Sequence, residues 1–545
     1  MKWLDNLKRT VKGWMQQAGA ETRVAREFKD IFEIGGVPAF NQYYYFGIFI
    51  WKYLYRGFYN AWHLIGAPVI GDPNRTRKME RMDVPKAICA ELASLVWGEE
   101  CTVNVTRKGY EPDTAEPDPL GEYINYVLST NAFRTKMQEH IEQSLALGGG
   151  ALKVWHEERH DENGNPVPGT GKIQIGYCMA DQFVPTAWDN AKITEGVFIS
   201  RQAKDGYYYT RLEWHKWNGL TYTVSNELYR SDMQKGRTAT EPQDILGYRY
   251  PLNTIYPFLE ENTTIPGLEE SLFSYYRTPI ANNLDDNSPL GMSIYGNAMS
   301  TLHSIDIIYD SFVREFRLGK KRIIVPAKAV HTVVDPINGQ LRRYFDATDE
   351  TYEALNVDDA EALKISDNSV ELRVEEHIAA LNAFLSILCL QVGFSANTFT
   401  FDEKSGLKTA TEVVSENSKT YKTIKTVQNQ LQPALEMLVH NIIAVAGLYD
   451  VEWDGRKVSE LAAGGYDVNI VFDDGVTQDR QTNLNEGVML VNSGLLSKRT
   501  FLTDKKYGQG LTEEQAEQEL ERIRQEQSSQ ISAGVLDVIR ANTAE

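Results

Sequence analysis

The chain has 545 residues, which is enough for about two to four domains with a sizeable core. Its 42% hydrophobic and 24% charged content is typical of a soluble globular protein. The formal net charge of −19 argues against binding to nucleic acid or anionic membrane by simple electrostatic attraction. The four cysteines form no CxxC pair, so we expect core thiols in a reducing compartment.

The first part of the chain is aromatic and is predicted to be helical. The apolar run Tyr43 to Trp51 is shorter than the roughly 20 residues that span a bilayer, so we expect an aromatic core or a subunit contact. A buried helix is predicted over Val84 to Val96, with Pro85 near its start. The sequence EECTVNVTRK predicts a strand, and Leu120 to Leu147 predicts a helix that ends at Gly148.

From residue 151 to about 260, apolar and polar residues alternate in short runs. Asn163-Gly164 and Asn218-Gly219 lie between such runs and are typical of tight hairpin turns. This part of the chain therefore predicts an antiparallel β region. Helices on both sides of it make an α+β fold the expected class.

Residues 291 to 447 predict two helices, a compact β-like segment between them, a polar loop and a long helix. A helix-periodic run extends from Gly291 to Leu318, and Asn338-Gly339 predicts a hairpin after it. The second helix, about Leu372 to Val392, has the 4-3-4-3 spacing of a seam that packs on a neighbouring helix. The apolar face of the first helix comprises Ile294, Ala298, Leu302, Ile305, Ile308 or Tyr309, Phe312 and Phe316, and the seam of the second comprises Val374, Ile378, Leu381, Leu385 and Leu388.

The polar loop has the sequence SANTFTFDEKSGLKTATE and leads into a helix from about Lys408 to Ala446. Pro433 removes one backbone donor from this helix and is expected to kink it. Its apolar face comprises Ile424, Val427, Leu431, Leu435, Leu438, Ile442 and Val445. A strand, VNIVF, is predicted after it.

Charge is unevenly distributed in this part of the chain. Arg314 to Arg343 holds eight Lys or Arg and two Asp or Glu, a net charge of +6. Asp346 to Glu376 holds eleven Asp or Glu and two Lys or Arg, a net charge of −9. Both blocks are consistent with solvated faces. Alternatively, the basic block faces an acidic partner or a phosphate backbone, and the acidic block faces another protein.

Two motifs raise the possibility of an enzyme. His156 to His160 matches H-E-x-x-H, but its context predicts a strand, on which the two histidines lie about 13 Å apart, too far for one zinc ion. Asp473-Asp474-Gly475 is more typical of a turn than of half a carboxylate metal site. The sequence contains no phosphate-binding P-loop and no G-x-S-x-G elbow. We therefore predict no enzyme, no cofactor and no metal, with a metal-dependent hydrolase as the alternative.

The order of these elements and several local sequences resemble the portal proteins of tailed bacteriophages, in particular those of long-tailed phages of Gram-positive hosts. The matching pieces are Trp51 to His63 (WKYLYRGFYNAWH), Met82 to Trp97, Tyr295 to Pro326 (with SFVREFRLGKKRIIVP), and Gly393 to Lys419 (GFSANTFTFDEKSGLKTATEVVSENSK). A thinner likeness extends to VNSGLLSKRT. The resemblance covers most of the chain, whereas the β region matches only in general style.

The resemblance implies a portal fold with a wing, a two-helix stem, a clip, a tunnel loop with a long helix behind it, and a crown. The implied parts of this chain are the wing at 1–290, stem helix 1 at 291–318, the clip at 319–371, stem helix 2 at 372–394, the tunnel loop at 395–407, the long kinked helix and wing return at 408–479, and the crown at 480–545.

The resemblance also implies a function. Portal proteins form a ring, with twelve copies in the virion, at one capsid vertex, and double-stranded DNA enters and leaves through the central channel without sequence-specific binding. The implied partners are the packaging ATPase (the terminase large subunit), the head-tail connector proteins, and the major capsid and scaffolding proteins. The ring is expected to assemble in the host cytoplasm and to contact no membrane. Another virion scaffold or adaptor protein without a tunnel is a further alternative.

Two groups of residues are candidates for contact with the DNA. The first group lies in the tunnel loop: Asn397, Thr398, Thr400, Asp402, Glu403, Lys404 and Lys408. The second group lies where stem and clip join: Arg314, Arg317, Lys320, Lys321 and Arg322. Phosphate contacts carry no sequence information, so a few basic rings on an acidic wall are expected to guide DNA without holding it.

Overall fold

A computed structural model describes the chain in two compact units, residues 1–404 with 422–473 and residues 405–421 with 474–545. The residues that it describes are 31–32, 34–35, 41–68, 72–98, 101–110, 118–158, 161, 167, 171–190, 192–232, 246–319, 323–324, 331–334, 341–344, 366–367, 371–396, 398–401, 418–472, 487–503, 516–517 and 519–524.

The described chain contains both helices and strands, which confirms the α+β class. The helices named below are α1 Gln42–Tyr55, α2 Asn60–His63, α3 Val84–Val96, α4 Pro119–Thr130, α5 Phe133–Leu147, α6 Met299–Leu318, α7 Val374–Val392, α8 Ser418–Leu448, α9 Val458–Ala462 and α10 Lys498–Thr503. The first nine lie mainly in the first unit, and α10 lies in the second.

The strands fall into one large sheet, one three-stranded sheet and several pairs. Their bounds are β1 Leu64–Gly66, β2 Thr76–Lys78, β3 Thr102–Arg107, β4 Gly149–Glu157, β5 Lys172–Met179, β6 Phe183–Asp189, β7 Lys192–Lys204, β8 Tyr207–Asn218, β9 Thr221–Asp232, β10 Tyr248–Tyr250, β11 Asn262–Pro266, β12 Phe273–Arg277, β13 Ile323–Ile324, β14 His331–Val334, β15 Leu341–Tyr344, β16 Ser366–Asp367, β17 Glu452–Trp453, β18 Arg456–Lys457 and β19 Tyr466–Val471.

The predicted antiparallel β region is confirmed. Strands β10, β9, β8, β7 and β6 lie side by side in that order, with β11 also paired to β9, and β12, β4 and β5 form the second sheet. The hairpin between β8 and β9 turns at Gly219, whose φ is +63°, as the Asn218-Gly219 pair predicts. Asn163-Gly164 lies outside the described residues.

The aromatic segment near the N-terminus forms helix α1 in the core. Tyr44, Phe46 and Ile48 are fully buried in it. The Tyr44 hydroxyl donates to the carbonyl of Gly291 at 2.7 Å, and the hydroxyl of Tyr295 donates to the carbonyl of Trp51 at 2.8 Å. Helix α1 therefore supports the segment that precedes α6, and the prediction of an aromatic core is confirmed.

Two glycines determine how α5 passes that same segment. Gly148 ends α5 with a φ of +99°, as predicted, and a Cβ on it would lie 2.4 Å from the carbonyl oxygen of Gly291. A Cβ on Gly291 would in turn lie 2.3 Å from the carbonyl oxygen of Gly148. Only glycine at both positions lets these two backbones approach so closely.

Two predicted helices differ from the observed ones. The stretch Leu120 to Leu147 is divided into α4 and α5, because Ala132 adopts a φ of +49° between them. The run from Gly291 becomes α-helical only at Met299, after a 3₁₀ turn over Gly296–Ala298. Ile294 is nevertheless buried. The apolar pattern therefore predicted the burial of Ile294 correctly but not its secondary structure.

The remaining elements agree with the sequence patterns. Helix α3 has the predicted bounds, with Pro85 in its first turn, and β3 pairs with β19, the strand predicted in VNIVF. Strands β14 and β15 pair antiparallel around the Asn338-Gly339 turn, which itself lies outside the described residues. Helix α8 contains Pro433 and is apolar and long enough to cross a membrane by composition, but 56% of its most apolar window is buried inside the protein. A core helix meets the same criterion.

Candidate functional site

The candidate site consists of helices α6 and α7 with the loop that follows α7. Residues 296–298, ahead of α6, contact α7, while the end of α6 contacts the start of α7. The two helices therefore run antiparallel. Leu381, Leu385 and Leu388 of the predicted seam are buried, and Val374 and Ile378 are partly buried. The seam prediction is confirmed over the half of α7 that is nearer the core.

Glu315 joins the two helices at the end that is farther from the core. Its carboxylate accepts hydrogen bonds from Arg373 Nε at 3.1 Å and Nη2 at 2.8 Å, and His377 Nε2 lies 3.5 Å away. Hydrogen bonds from Arg373 hold the pKa of Glu315 at about 2. Glu315 therefore stays ionised at neutral pH and keeps its hydrogen bonds to Arg373 between the two helices.

A second carboxylate, Asp310, fastens α6 to β2. Both terminal nitrogens of Arg77 donate to it, at 2.8 and 2.6 Å, and so does the backbone nitrogen of Glu80, at 3.0 Å. Burial, the largest single effect, raises the pKa of Asp310, but the hydrogen bonds from Arg77 and from the Glu80 backbone, together with the charges of Arg77 and Arg314, leave its pKa below the usual value. Two turns further along, Arg317 donates to Glu80 at 2.7 Å.

A third carboxylate, Asp306, lies on the same side of α6, one turn before Asp310. It accepts from Met82 N at 3.1 Å and lies 3.1 Å from His63 Nε2. Since the backbone nitrogen of Tyr59 donates to His63 Nδ1 at 2.9 Å, the imidazole proton resides on Nε2 and faces Asp306. Asp306 and Asp310, four residues apart, thus tie one face of α6 to the segment between α2 and α3.

The opposite side of the helix pair presents apolar side chains to solvent. Ile307 is 46% exposed on α6, and Leu390 is 55% exposed on α7. Phe316, Leu318 and Ile387 are exposed to a similar degree. A groove of about 300 Å³ lies between the helices, lined by Ile307, Ile308, Ser311, Arg373, Glu376, His377 and Ala380. The described part of a single chain therefore leaves apolar side chains of this helix pair exposed.

The serine side chains on this face of α6 bond to their own helix. Ser304 Oγ donates to the carbonyl of Ser300 at 2.9 Å, and Ser311 Oγ donates to the carbonyl of Ile307 at 2.8 Å. These hydroxyls need no further donor or acceptor from a partner. These two hydroxyls therefore do not oppose the packing of another helix against this face.

The chain leaves α7 through a tight turn that is fixed to α8. Gly393 has a φ of +90°, and its carbonyl accepts a hydrogen bond from Thr423 Oγ1 at 2.7 Å. A Cβ on Gly393 would lie 2.6 Å from that oxygen. Only glycine meets both the backbone angle and the close approach to α8.

The start of the predicted tunnel loop folds back against the same elements. Phe394 is buried, and its ring lies 5.2 Å from that of Phe399. Thr398 Oγ1 donates to the carbonyl of Ser395 at 2.7 Å, and the backbone nitrogen of Phe401 donates to the Asn382 side chain at 3.0 Å. Residues 394–396 and 398–401 therefore form a fixed base for the loop.

Helix α8 contacts the turn before this base through Thr423. Every residue of its predicted apolar face is buried, which confirms that prediction. The residues are Ile424, Val427, Leu431, Leu435, Leu438, Ile442 and Val445.

Only part of the sequence-predicted site lies within the described structure. Thr398 and Thr400 lie in the loop base, and Arg314 and Arg317 lie near the end of α6. Arg317 is engaged with Glu80, whereas Arg314 is exposed and forms no ion pair among the described residues. The other candidates lie outside the described residues: Asn397, Asp402, Glu403, Lys404, Lys408, Lys320, Lys321 and Arg322.

Sequence reasoning did not identify Asp306, Asp310 or Asn382. The first two are carboxylates four residues apart on the buried side of an otherwise apolar helix, and that spacing is a usable signal for a buried partner. Their partners lie more than 220 residues away in the sequence, so the pairing itself is invisible to local patterns.

The H-E-x-x-H motif lies partly within the described chain. His156 is in β4, as the strand prediction requires, and its ring stacks on Tyr449 with 4.1 Å between the centroids. Its Nδ1 lies 3.7 Å from Glu158. In the described ranges, no three His, Cys, Asp or Glu side chains converge on a metal-sized site. His160, Asp473 and Asp474 lie outside those ranges.

The chain matches a known protein family. The family model described as "Phage portal protein, SPP1 Gp6-like" matches residues 41–533, nearly the whole chain. A comparison with curated proteins found no match. The chain therefore belongs to the SPP1 Gp6-like family of phage portal proteins, which are virion components that serve in genome packaging and are in general structural proteins.

Proposed function

We propose that the chain forms a homo-oligomeric ring, with twelve copies in the virion, at one vertex of the capsid. Double-stranded DNA passes through the central channel during packaging and ejection, and the chain itself catalyses no reaction. The observation that carries this proposal is the set of apolar side chains on α6 and α7 that the described part of a single chain leaves exposed. Both helices lie within the residues that the portal family model matches.

The exposed apolar side chains support a ring through a simple energetic argument. Burial of a Leu or Ile side chain contributes about 1.5–3 kcal/mol, and side chains such as Ile307, Ile387 and Leu390 are available for it. Neighbouring copies in a ring bring helices against such faces at every interface. A monomer would leave these residues in water.

The parts of the portal fold are proposed at the positions given by the resemblance. Helices α6 and α7 are stem helices 1 and 2, and stem helix 1 begins at Met299. The clip is 319–371, the tunnel loop is 395–407, and α8 is the tunnel helix. The wing is 1–290 together with the return after α8, and the crown is 480–545.

The charge of the assembly suits a conduit rather than a DNA-binding protein. Twelve copies with a net charge of −19 carry about −200 elementary charges in total. Such a wall limits adhesion of phosphates, while a few basic rings guide the duplex. We propose Lys404 and Lys408 for the loop and Arg314 for the stem exit. Arg317 is a weaker candidate because Glu80 already neutralises it.

We propose that the clip is the docking platform for the terminase large subunit and later for head-tail connector proteins. The acidic block Asp346 to Glu376 supplies the charge for such protein contacts. Major capsid and scaffolding proteins are the proposed partners of the wing, and assembly takes place in the host cytoplasm before the ring enters the virion.

Negative-stain electron microscopy of the purified chain tests this proposal. Closed rings with a central hole are the expected result. A protein that stays monomeric at high concentration would overturn the ring. Rings without a hole would favour a scaffold or adaptor protein that has no tunnel.

A further inference from the structure

An arginine on the large sheet is held between two aromatic rings. The guanidinium of Arg230, in β9, lies 4.6 Å from the ring centroid of Tyr207 in β8 and 4.3 Å from that of Tyr250 in β10. Stacking of this kind fixes the plane of a guanidinium but leaves its N–H donors at the edge. The side chain is therefore oriented before any partner arrives.

The donors of this guanidinium have no partner among the described residues. Within the described ranges, the Arg230 side chain forms no ion pair and no hydrogen bond. Its counterpart in the next strand differs: Arg249, on the opposite face of the sheet, lies 3.8 Å from Glu227. Among the described residues, Arg249 is therefore paired with a carboxylate and Arg230 is not.

The surroundings of Arg230 favour a contact with protein. Tyr248 lies directly across from it in the sheet register and is 72% exposed, and Tyr207 is also exposed. Tyrosine and arginine are the residues that most often dominate the binding energy of protein interfaces. The patch formed by Tyr207, Arg230, Tyr248 and Tyr250 therefore has the composition of an interface centre, and we name it the Arg230 patch.

The local charge decides between a protein and a nucleic acid. Lys204 and Arg230 are the positive side chains at this end of the sheet, and Asp205 and Asp232 are negative side chains beside them, so these four charges cancel. A strand of many phosphates needs a continuous basic surface, which the described residues around Arg230 do not form. One carboxylate flanked by apolar or aromatic groups suits this patch better.

We propose that the Arg230 patch binds an extended segment of a partner protein, which places one Asp or Glu carboxylate on the edge of the Arg230 guanidinium. Two N–H groups of Arg230 donate to the carboxylate, and Tyr248 covers the neighbouring side chain of the segment. The inference goes beyond the proposed channel, because neither the ring nor the passage of DNA requires this site.

Fluorescence anisotropy on the full-length protein tests this inference. The probe is a labelled peptide with alternating glutamate and tyrosine, compared with the same peptide carrying glutamine for glutamate and with an oligothymidylate of equal length. We expect the glutamate peptide to bind, and Arg230→Gln to weaken it by about tenfold or more. Arg230→Lys should bind more tightly than Arg230→Gln but less tightly than the unchanged protein, because lysine keeps the charge but lacks the planar guanidinium that stacks on the tyrosine rings. Tyr248→Ala should weaken binding several-fold.

The control is Arg249→Gln, which removes an arginine one strand away on the other face. It should leave the affinity within about twofold of the unchanged protein. Equal losses in Arg230→Gln and Arg249→Gln would overturn the site, since they would reflect general charge. Binding of the oligothymidylate in preference to the peptide, or no binding of any probe at millimolar concentration, would also overturn it.

Discussion

The carboxylate of Glu315 and the guanidinium of Arg373 form two hydrogen bonds, at 3.1 and 2.8 Å, between the end of α6 and the start of α7. Gly319 and Leu372 also lie side by side there, since a Cβ on Gly319 would be 2.4 Å from Leu372 Cδ2. The segment between α6 and α7 therefore departs and returns at one point. Its proposed role as the clip depends on this junction staying closed.

The first prediction concerns the pH dependence of that junction. The pKa of Glu315 is about 2 against an ordinary value of 4.5, so its pairing stabilises the fold above pH 4.5 and is lost as the pH falls toward 2. In Glu315→Gln we expect amide hydrogen exchange at residues 373–378 to rise about threefold relative to the unchanged protein at pH 6. The ratio should approach one near pH 2.

Glu375→Gln is the matched control, because Glu375 lies in the first turn of the same helix and forms no ion pair among the described residues. Its exchange should equal that of the unchanged protein at both pH values. A ratio for Glu315→Gln that does not depend on pH would show that Arg373 does not act through the ionised carboxylate.

The second prediction concerns the tie between α6 and β2. Asp310→Asn should lower the free energy of unfolding by about 2 kcal/mol, less than for a fully buried pair because Arg77 is partly exposed to solvent. Denaturant unfolding measures the change. Asp83→Asn, at an exposed pair with Arg81, should change it by less than about 0.5 kcal/mol. Equal effects of the two substitutions would contradict a special role for Asp310.

The third prediction concerns the turn between α7 and the loop base. Gly393→Ala forces a side chain into a φ of +90° and brings its Cβ against Thr423, so we expect a cost of about 2–4 kcal/mol. Gly455→Ala has a similar φ, +71°, but open space around the new Cβ, and should cost about 1 kcal/mol. Similar costs, measured by denaturant unfolding, would mean that the approach to α8 does not matter.

The sequence predicted those elements whose apolar residues follow a regular period. Helix α3 has its predicted bounds, and the predicted face of α8 is buried throughout, because both helices lie in the core and tertiary packing agrees with the local pattern. Within α6 and α7 the pattern locates the helices but does not distinguish the side that the chain buries from the side that it leaves exposed.

Other features depend on distant contacts that no local pattern contains. The positive φ of Ala132 divides one predicted helix into two, directly after Asn131, which caps α4. The pairing of Asp310 with Arg77 brings together residues 233 positions apart. Asn382 holds Phe401 through a backbone nitrogen, a contact that only the folded loop base creates. Sequence periodicity reports burial, whereas these contacts depend on the tertiary fold.

The fourth prediction concerns the loop. Deletion of Thr398 to Lys404 removes the distal part of the loop base but should leave rings intact while it impairs DNA packaging or retention, since Phe394 stays buried and the turn at Gly393 stays bonded to α8. Electron microscopy reports on the rings, and nuclease-protected DNA in assembled particles reports on packaging. Loss of the rings would make the loop an assembly element instead.

We propose that copies of the chain meet at the exposed apolar face of α6 and α7. Mass photometry of the unchanged protein should show a particle near twelve times the subunit mass of 61.8 kDa. Ile387→Asp with Leu390→Asp should shift the mass to that of single subunits, while Leu220→Asp, at a 90% exposed hairpin tip, should not. A ring population that survives the double substitution unchanged would show that copies of the chain do not meet at this face.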